Sequence, residues 1–160
     1  MKQQAKLGAQ RVIFGNLVEV RGDRYANIID SAPPQTFIIM HIYDEIASSC
    51  QRMNKCLTKM AKIYPTVKFC RVQSFQLGVS HNFSENALPA LLVYRGGELL
   101  GNLLRVTDSL GEDFTTDDLE SFLQEKNCLP PESEKDWLLS PDVNGKKILG
   151  FPSKNVSDSD

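Results

Sequence analysis

Residues 86–100 read NALPALLVYRGGELL, and this stretch decides the fold. Leu91 to Tyr94 is an apolar and aromatic strand pattern that Leu88-Pro89-Ala90 introduces. Gly96-Gly97 favours a tight hairpin turn, and Glu98 to Val106 then predicts a returning strand. Because a hairpin joins antiparallel neighbours, the stretch argues against the competing interpretation, a doubly wound sheet of parallel strands.

Two further strands and a helix precede this hairpin. Thr36 to Tyr43 (TFIIMHIY) is almost continuously apolar, which is typical of a central strand covered on both faces. Val67 to Val72 repeats the pattern. Between these strands, Asp44 to Tyr64 has apolar residues at helical spacing and ends before Pro65. The order predicts a β-α-β unit ahead of the hairpin.

The outer elements complete an α/β fold with a mixed central sheet and helices on both faces. Val12 to Val20 indicates a short strand, and Arg24 to Ile29 indicates a helical turn or two. Ser74 to Glu85 is polar and predicts a loop with about one helical turn. A closing helix begins after Thr115 or Thr116, since either hydroxyl can cap it and acidic residues in the first turn complement the helix dipole.

A chain of 160 residues has the length of one ordinary domain. We expect residues 1–11 to be a flexible N-terminus, residues 12–131 to form the domain, and residues 132–160 to be a disordered polar tail. The alternative for the tail is that one of its apolar islands, Trp137-Leu138-Leu139 or Ile148-Leu149-Gly150-Phe151, docks on a groove of the domain.

Composition excludes several classes of function. The 18 basic and 20 acidic residues give a net charge of −2, whereas a nucleic-acid-binding protein normally shows a basic excess. No run approaches the roughly 20 apolar residues of a membrane helix, and the N-terminus lacks the apolar core of a signal peptide. We therefore expect a cytoplasmic protein that neither inserts into membranes nor binds nucleic acid.

The four cysteines form no C-x-x-C pair and no paired zinc spacing. We therefore expect free thiols, no bound metal and no cofactor. Cys56 and Cys70 lie in a predicted helix and strand and are expected to be packed. Cys128 comes after the last helix, and we expect it to be exposed. His41 lies in a buried strand and is interpreted as a core histidine.

The order of elements, with Pro89 just before the third long strand, resembles thioredoxin. The resemblance implies a thioredoxin-like fold in which the peptide bond preceding Pro89 is cis. Active thioredoxins carry two cysteines at the strand-to-helix junction, which here reads Ala47-Ser48-Ser49-Cys50. Alanine at the nucleophile position cannot attack a disulfide, so the motif is degenerate and we expect no oxidoreductase activity.

Cys50 keeps sulfur at the resolving position, and two interpretations remain open. Cys50 is either a buried cysteine acting as a small hydrophobe, or the reactive group of a monothiol reductase or thiol sensor. The second interpretation requires a thiol whose pKa is depressed, as happens near a helix N-terminus.

A closer resemblance is to phosducin and the phosducin-like proteins. The segments that carry it are YPTVKFCR (64–71), NALPALLVY (86–94), GGEL (96–99), RVTD (105–108), LGEDF (110–114) and DLESFL (118–123). The resemblance covers the chain from about Phe14 to Pro131. It implies a non-catalytic binding protein that regulates G-protein βγ dimers or assists their assembly by the cytosolic chaperonin.

The same resemblance implies a contact segment that comprises the closing helix and the residues after it, about Asp118 to Pro131. The partner-binding residues it suggests, in and just before that helix, are Glu112, Asp113, Asp117, Glu120 and Gln124. Two alternatives remain open: the helix only covers the sheet, or the whole domain is a spacer within a larger assembly.

Overall fold

The structure, a computed structural model, describes residues 12–136. The strands of this part are β1 Leu17–Glu19, β2 Phe37–Tyr43, β3 Lys68–Gln73, β4 Ala90–Arg95 and β5 Glu98–Leu103. Its α-helices are α1 Tyr25–Ser31, α2 Ser48–Ile63, α3 His81–Asn86, α4 Thr107–Leu110 and α5 Thr116–Glu125. Short 3₁₀ turns cover Gly22–Arg24, Ser74–Leu77 and Glu132–Glu134.

The strands form one mixed sheet in the order β1-β3-β2-β4-β5. β1 and β2 both run parallel to β3. β4 is antiparallel to β2, and β5 is antiparallel to β4. The hairpin at Gly96-Gly97 therefore turns as the sequence predicted, and a sheet of parallel strands alone is excluded.

Helices cover both faces of the sheet, as the patterning predicted. Buried residues of α2 and α5, including Met53, Leu57, Leu119 and Leu123, form one core with β2, β3 and β4. On the opposite face, Ile29 of α1 belongs to a second core, and Phe83 of α3 packs against it. Every residue of β2 is buried, because this strand lies between the two cores.

His41 is a core residue of β2, as its place in the sequence predicted. Its side chain has no exposed surface, and its Nδ1 lies 2.8 Å from Asn54 Oδ1. The ring stacks on Tyr43 with centroids 5.5 Å apart. Burial lowers the pKa of His41 to about 3, so the imidazole is neutral at physiological pH and adds no charge to the core.

Some boundaries differ from the sequence predictions for local reasons. β1 is three residues long and does not extend over the whole of Val12 to Val20, because it pairs with β3 only from Leu17 to Glu19. The polar stretch from Ser74 holds a 3₁₀ turn and then α3, and the Ser80 hydroxyl caps α3 by accepting a hydrogen bond from Phe83 N–H at 3.1 Å.

The chain remains in contact with the domain for some residues past position 131. Thr66 Oγ1 donates to Glu134 Oε1 at 2.9 Å, and the Asp136 amide donates to the carbonyl of Ile63 at 2.7 Å. The predicted flexible N-terminus, residues 1–11, and residues 137–160 of the predicted tail lie outside the described residues. Among the helices that the structure describes, none combines the length and the hydropathy that membrane crossing requires.

Candidate functional site

The degenerate motif lies at the junction between β2 and α2, where the sequence placed it. Ala47 is the N-cap residue of α2 and makes no side-chain cap hydrogen bond. Its carbonyl accepts from the amides of Cys50 and Gln51, both at 3.1 Å. A thiol at the start of a 16-residue helix would be stabilised as thiolate. The methyl group of Ala47 has neither a proton to lose nor a lone pair to attack with.

Cys50 is buried one turn into the same helix. It has no exposed surface, and the Asp44 amide donates to its sulfur at 3.5 Å. Burial raises the pKa of the Cys50 thiol, because the thiolate loses its hydration. A reactive thiol needs a lowered pKa. The buried position and the raised pKa of Cys50 therefore favour a packed cysteine and do not support a monothiol reductase or thiol sensor.

Pro89 follows a cis peptide bond from Leu88, as the resemblance to thioredoxin predicted. The proline lies directly before β4 and is buried. The segment after β5 holds this loop in place, since Arg105 N–H donates to the Ala87 carbonyl at 2.7 Å and Val106 N–H donates to the Pro89 carbonyl at 3.0 Å.

The expectation that Cys128 is exposed is wrong, since only 1% of its surface is accessible. The chain turns back after α5 at Asn127, whose φ is 59°, and the Cys128 amide donates to the Leu123 carbonyl at 2.8 Å. The thiol then packs against β5 at Gly101, where a Cβ atom would lie 2.8 Å from the sulfur. A glycine within an apolar strand was the signal for this close approach.

Three of the suggested partner-binding residues are exposed around the start of α5. Glu112, Asp113 and Asp117 are all accessible to solvent. Asp113 is 99% exposed and lies 3.8 Å from the Arg52 guanidinium, a distance at which an exposed ion pair contributes little. A capping box between Thr115 and Asp118 fixes the helix start, with hydrogen bonds of 2.9 and 3.1 Å. The acidic group is therefore presented on an ordered segment.

The other two suggested residues, Glu120 and Gln124, were expected to face a partner, but the structure shows that both are half-buried. Tyr64 Oη donates to Glu120 Oε2 at 2.6 Å and accepts from Gln124 Nε2 at 2.9 Å. Lys135 Nζ lies 2.8 Å from the same Glu120 oxygen, and the side chains of Lys135 and Glu120 are only 8% and 14% exposed. Because Glu120 and Gln124 are one helical turn apart, both reach the hydroxyl of the buried tyrosine.

No group of three or more His, Cys, Asp or Glu side chains in residues 12–136 is arranged to hold a metal ion. The four cysteines are unpaired and buried. The junction thus contains a helix start and one packed thiol, and the cis-proline precedes β4, the strand next to β2.

Solved structures with the same architecture are thioredoxins. Thioredoxin f from spinach chloroplast, in its long form, superposes with a TM-score of 0.53 over 72% of this chain and 89% of that chain, at 16% sequence identity. Identity this low establishes the fold alone. The fold is therefore thioredoxin-like, as the order of elements predicted.

Sequence comparison identifies the family. The phosducin family model matches residues 1–146. The chain is 47% identical to the phosducin-like protein of Bos taurus over 89% of its own length, and 39% identical to the phosducin of Bos taurus over 81%. It spans about half of these relatives, 46% of the first and 52% of the second. The family model and these relatives together establish that the chain belongs to the phosducin family.

Proposed function

We propose that this chain is a non-catalytic binding domain that regulates G-protein βγ dimers or assists their chaperonin-dependent assembly. Family membership is the observation that carries this proposal. The chain covers only about half the length of these relatives. Binding to the βγ dimer is therefore a proposal for this domain. The free, buried cysteines are compatible with the reducing cytoplasm in which we place it.

The lack of a nucleophile at the junction supports binding over catalysis. Disulfide exchange starts with a thiolate that attacks a substrate sulfur. Position 47 has no thiol, and the sulfur of Cys50 is buried with a raised pKa. We therefore propose that the domain is not an enzyme, since no observation favours the monothiol alternative.

The acidic residues around the start of α5 are the part of the domain that we assign to the partner. Glu112, Asp113 and Asp117 are exposed and can face a complementary basic surface without prior rearrangement. Glu120 and Gln124 keep an indirect role, because their bonds to Tyr64 attach α5 to the end of α2. Exposed charges of this kind chiefly change the association rate and its salt dependence.

Titration of purified βγ dimer onto the full chain, by calorimetry or surface capture, tests the proposal. We expect a measurable complex at or below roughly tens of micromolar, equivalent to about 6 kcal/mol or more of binding free energy. Neutralising the acidic group (Glu112→Gln, Asp113→Asn and Asp117→Asn together) should slow association about three- to tenfold at low salt. The difference should shrink as ionic strength rises.

Two exposed acids outside this group provide the matched control, Asp30→Asn and Glu98→Gln in one variant. This control should associate like the unmodified chain. Absence of binding by the unmodified chain at roughly tens of micromolar would remove the direct βγ function. Equal slowing by the control and the triple variant would remove the acidic group as the contact.

A further inference from the structure

A groove crosses the end of the sheet at which β2 and β3 begin and β4 ends. The register places Phe37 of β2 beside Arg95 of β4, and Ile38 of β2 beside Lys68 of β3. The groove therefore lies at the opposite end of the sheet from the junction between β2 and α2. We call it the basal groove, and its apolar lining residues are Val12, Pro33, Phe37, Leu129, Pro130 and Pro131. Its volume of about 970 Å³ is near the upper end of the range for ligand clefts.

The walls of the basal groove favour an apolar ligand over a charged one. Val12 is 45% exposed, and Pro33 and Pro131 are also accessible to solvent. The guanidinium of Arg95 already lies 4.7 Å from the centroid of the Phe37 ring and donates to a backbone carbonyl at 3.1 Å. Exposed apolar residues that line one concave surface are typical of a binding site.

The chain itself runs along the basal groove before it reaches position 136. Thr66 and Glu134 both line the groove, and Thr66 Oγ1 donates to Glu134 Oε1 at 2.9 Å. Two residues later, the Asp136 amide donates to the carbonyl of Ile63 at 2.7 Å. These bonds fix the course of the chain, so the residue that follows Asp136 starts beside the groove.

The residues that come next in the sequence are apolar. They are Trp137-Leu138-Leu139, which include the only tryptophan of the chain. Even when fully extended, these three residues reach no further than about 11 Å from Asp136. Because no linker separates them from the groove, their effective concentration there is about millimolar or higher. Weak apolar contacts therefore suffice to dock them, and docking removes large apolar side chains from water.

We propose that Trp137-Leu138-Leu139 docks in the basal groove of the same chain. Its apolar side chains contact the exposed walls at Val12, Pro33 and Pro131. This proposal goes beyond the βγ function, since it assigns an intramolecular binding site to the far end of the sheet, and it does not depend on the identity of the partner protein.

Tryptophan fluorescence of the full chain tests the proposal, because Trp137 is the only tryptophan. Acrylamide should quench it at least about threefold less efficiently than in the urea-unfolded chain, since a docked indole is shielded from water. Val12→Asp and Pro33→Asp each place a charge in an exposed wall of the groove, and each should raise the quenching at least about twofold. Both positions are exposed, so both variants should keep the fold.

Ile13→Asp is the matched control, because Ile13 is the neighbour of Val12, is 64% exposed, and is not among the described residues that line the groove. Its quenching should equal that of the unmodified chain. The proposal is overturned if the tryptophan is quenched as in the unfolded chain, or if Val12→Asp and Ile13→Asp raise the quenching equally. It is also overturned if the shielding depends on protein concentration, because the occupant is then a second copy.

Nitrogen-15 NMR distinguishes this segment from the other apolar island of the sequence, Ile148-Leu149-Gly150-Phe151. In the full chain, Trp137→Ser should shift the amide signals of residues 35–37 and 127–129, which border the groove. Phe151→Ser should leave these signals unchanged. The opposite pattern, in which Phe151→Ser shifts the groove signals and Trp137→Ser does not, overturns the proposal.

Discussion

Replacing Phe114 by alanine is expected to lower the free energy of unfolding by about 3–5 kcal/mol, since this range is typical of aromatic deletions in a core. Phe114 is 1% exposed and belongs to the core between α2, α5 and the sheet. Its carbonyl also accepts a hydrogen bond from Arg52 Nη1 at 3.4 Å. Urea denaturation followed by circular dichroism measures the effect, which should appear as a lower midpoint with an unchanged slope.

Phe75→Ala is the control for this prediction, because the same side chain is removed from a position that is 73% exposed. Its effect should stay within about 0.5 kcal/mol, as is usual for surface substitutions. If the two variants lose similar stability, Phe114 does not lie in the core or Phe75 is not exposed, and the packing described for this end of the domain is incorrect.

Replacing Glu120 by alanine is expected to destabilise the domain by about 2–4 kcal/mol, an effect of the size seen when one partner of a mostly buried ion pair is removed. The variant deprives Tyr64 Oη of its acceptor and leaves Lys135, whose side chain is 8% exposed, without this carboxylate. Thermal or urea unfolding of the purified variant measures the loss. A result of this size would identify Glu120 as a structural residue of α5.

Two further substitutions in α5 test which of its acidic residues stabilise the fold and which are free to contact a partner. Glu120→Gln keeps an acceptor for Tyr64 but removes the charge that faces Lys135. Its free energy of unfolding should therefore lie between those of Glu120→Ala and the unmodified chain. Asp117→Ala changes an exposed acid in the first turn of the same helix, where loss of a favourable dipole interaction accounts for at most about 1 kcal/mol. Full stability of Glu120→Ala would contradict the buried network.

Elements of the fold could be predicted from the sequence where the local pattern is compatible with only one secondary structure. The run from Thr36 to Tyr43 is apolar at almost every position, and a strand covered on both faces is the arrangement that buries it. The hairpin at Gly96-Gly97 follows from turn chemistry, since both glycines have positive φ, 60° and 80°. The start of α5 was predicted from Thr115 or Thr116 and the acidic residues that follow, and the structure shows that Thr115 is the cap, in a capping box with Asp118.

Features that depend on distant contacts could not be predicted in the same way. Cys128 looked exposed because it comes after the last helix, but its burial depends on the space left at Gly101 of β5. Glu120 and Gln124 lie on the polar side of the α5 pattern, and only the position of Tyr64 at the end of α2 makes them half-buried. Likewise, the sequence placed Ala47 at the junction but did not show that Cys50 is fully buried.

The assay of insulin reduction with dithiothreitol tests most directly whether the domain lacks disulfide-exchange chemistry. The unmodified chain should precipitate insulin no faster than dithiothreitol alone. Ala47→Cys, which restores a C-x-x-C spacing with Cys50 at the start of α2, should accelerate precipitation. Sustained acceleration by the unmodified chain that is abolished in Cys50→Ser would contradict the loss of disulfide chemistry.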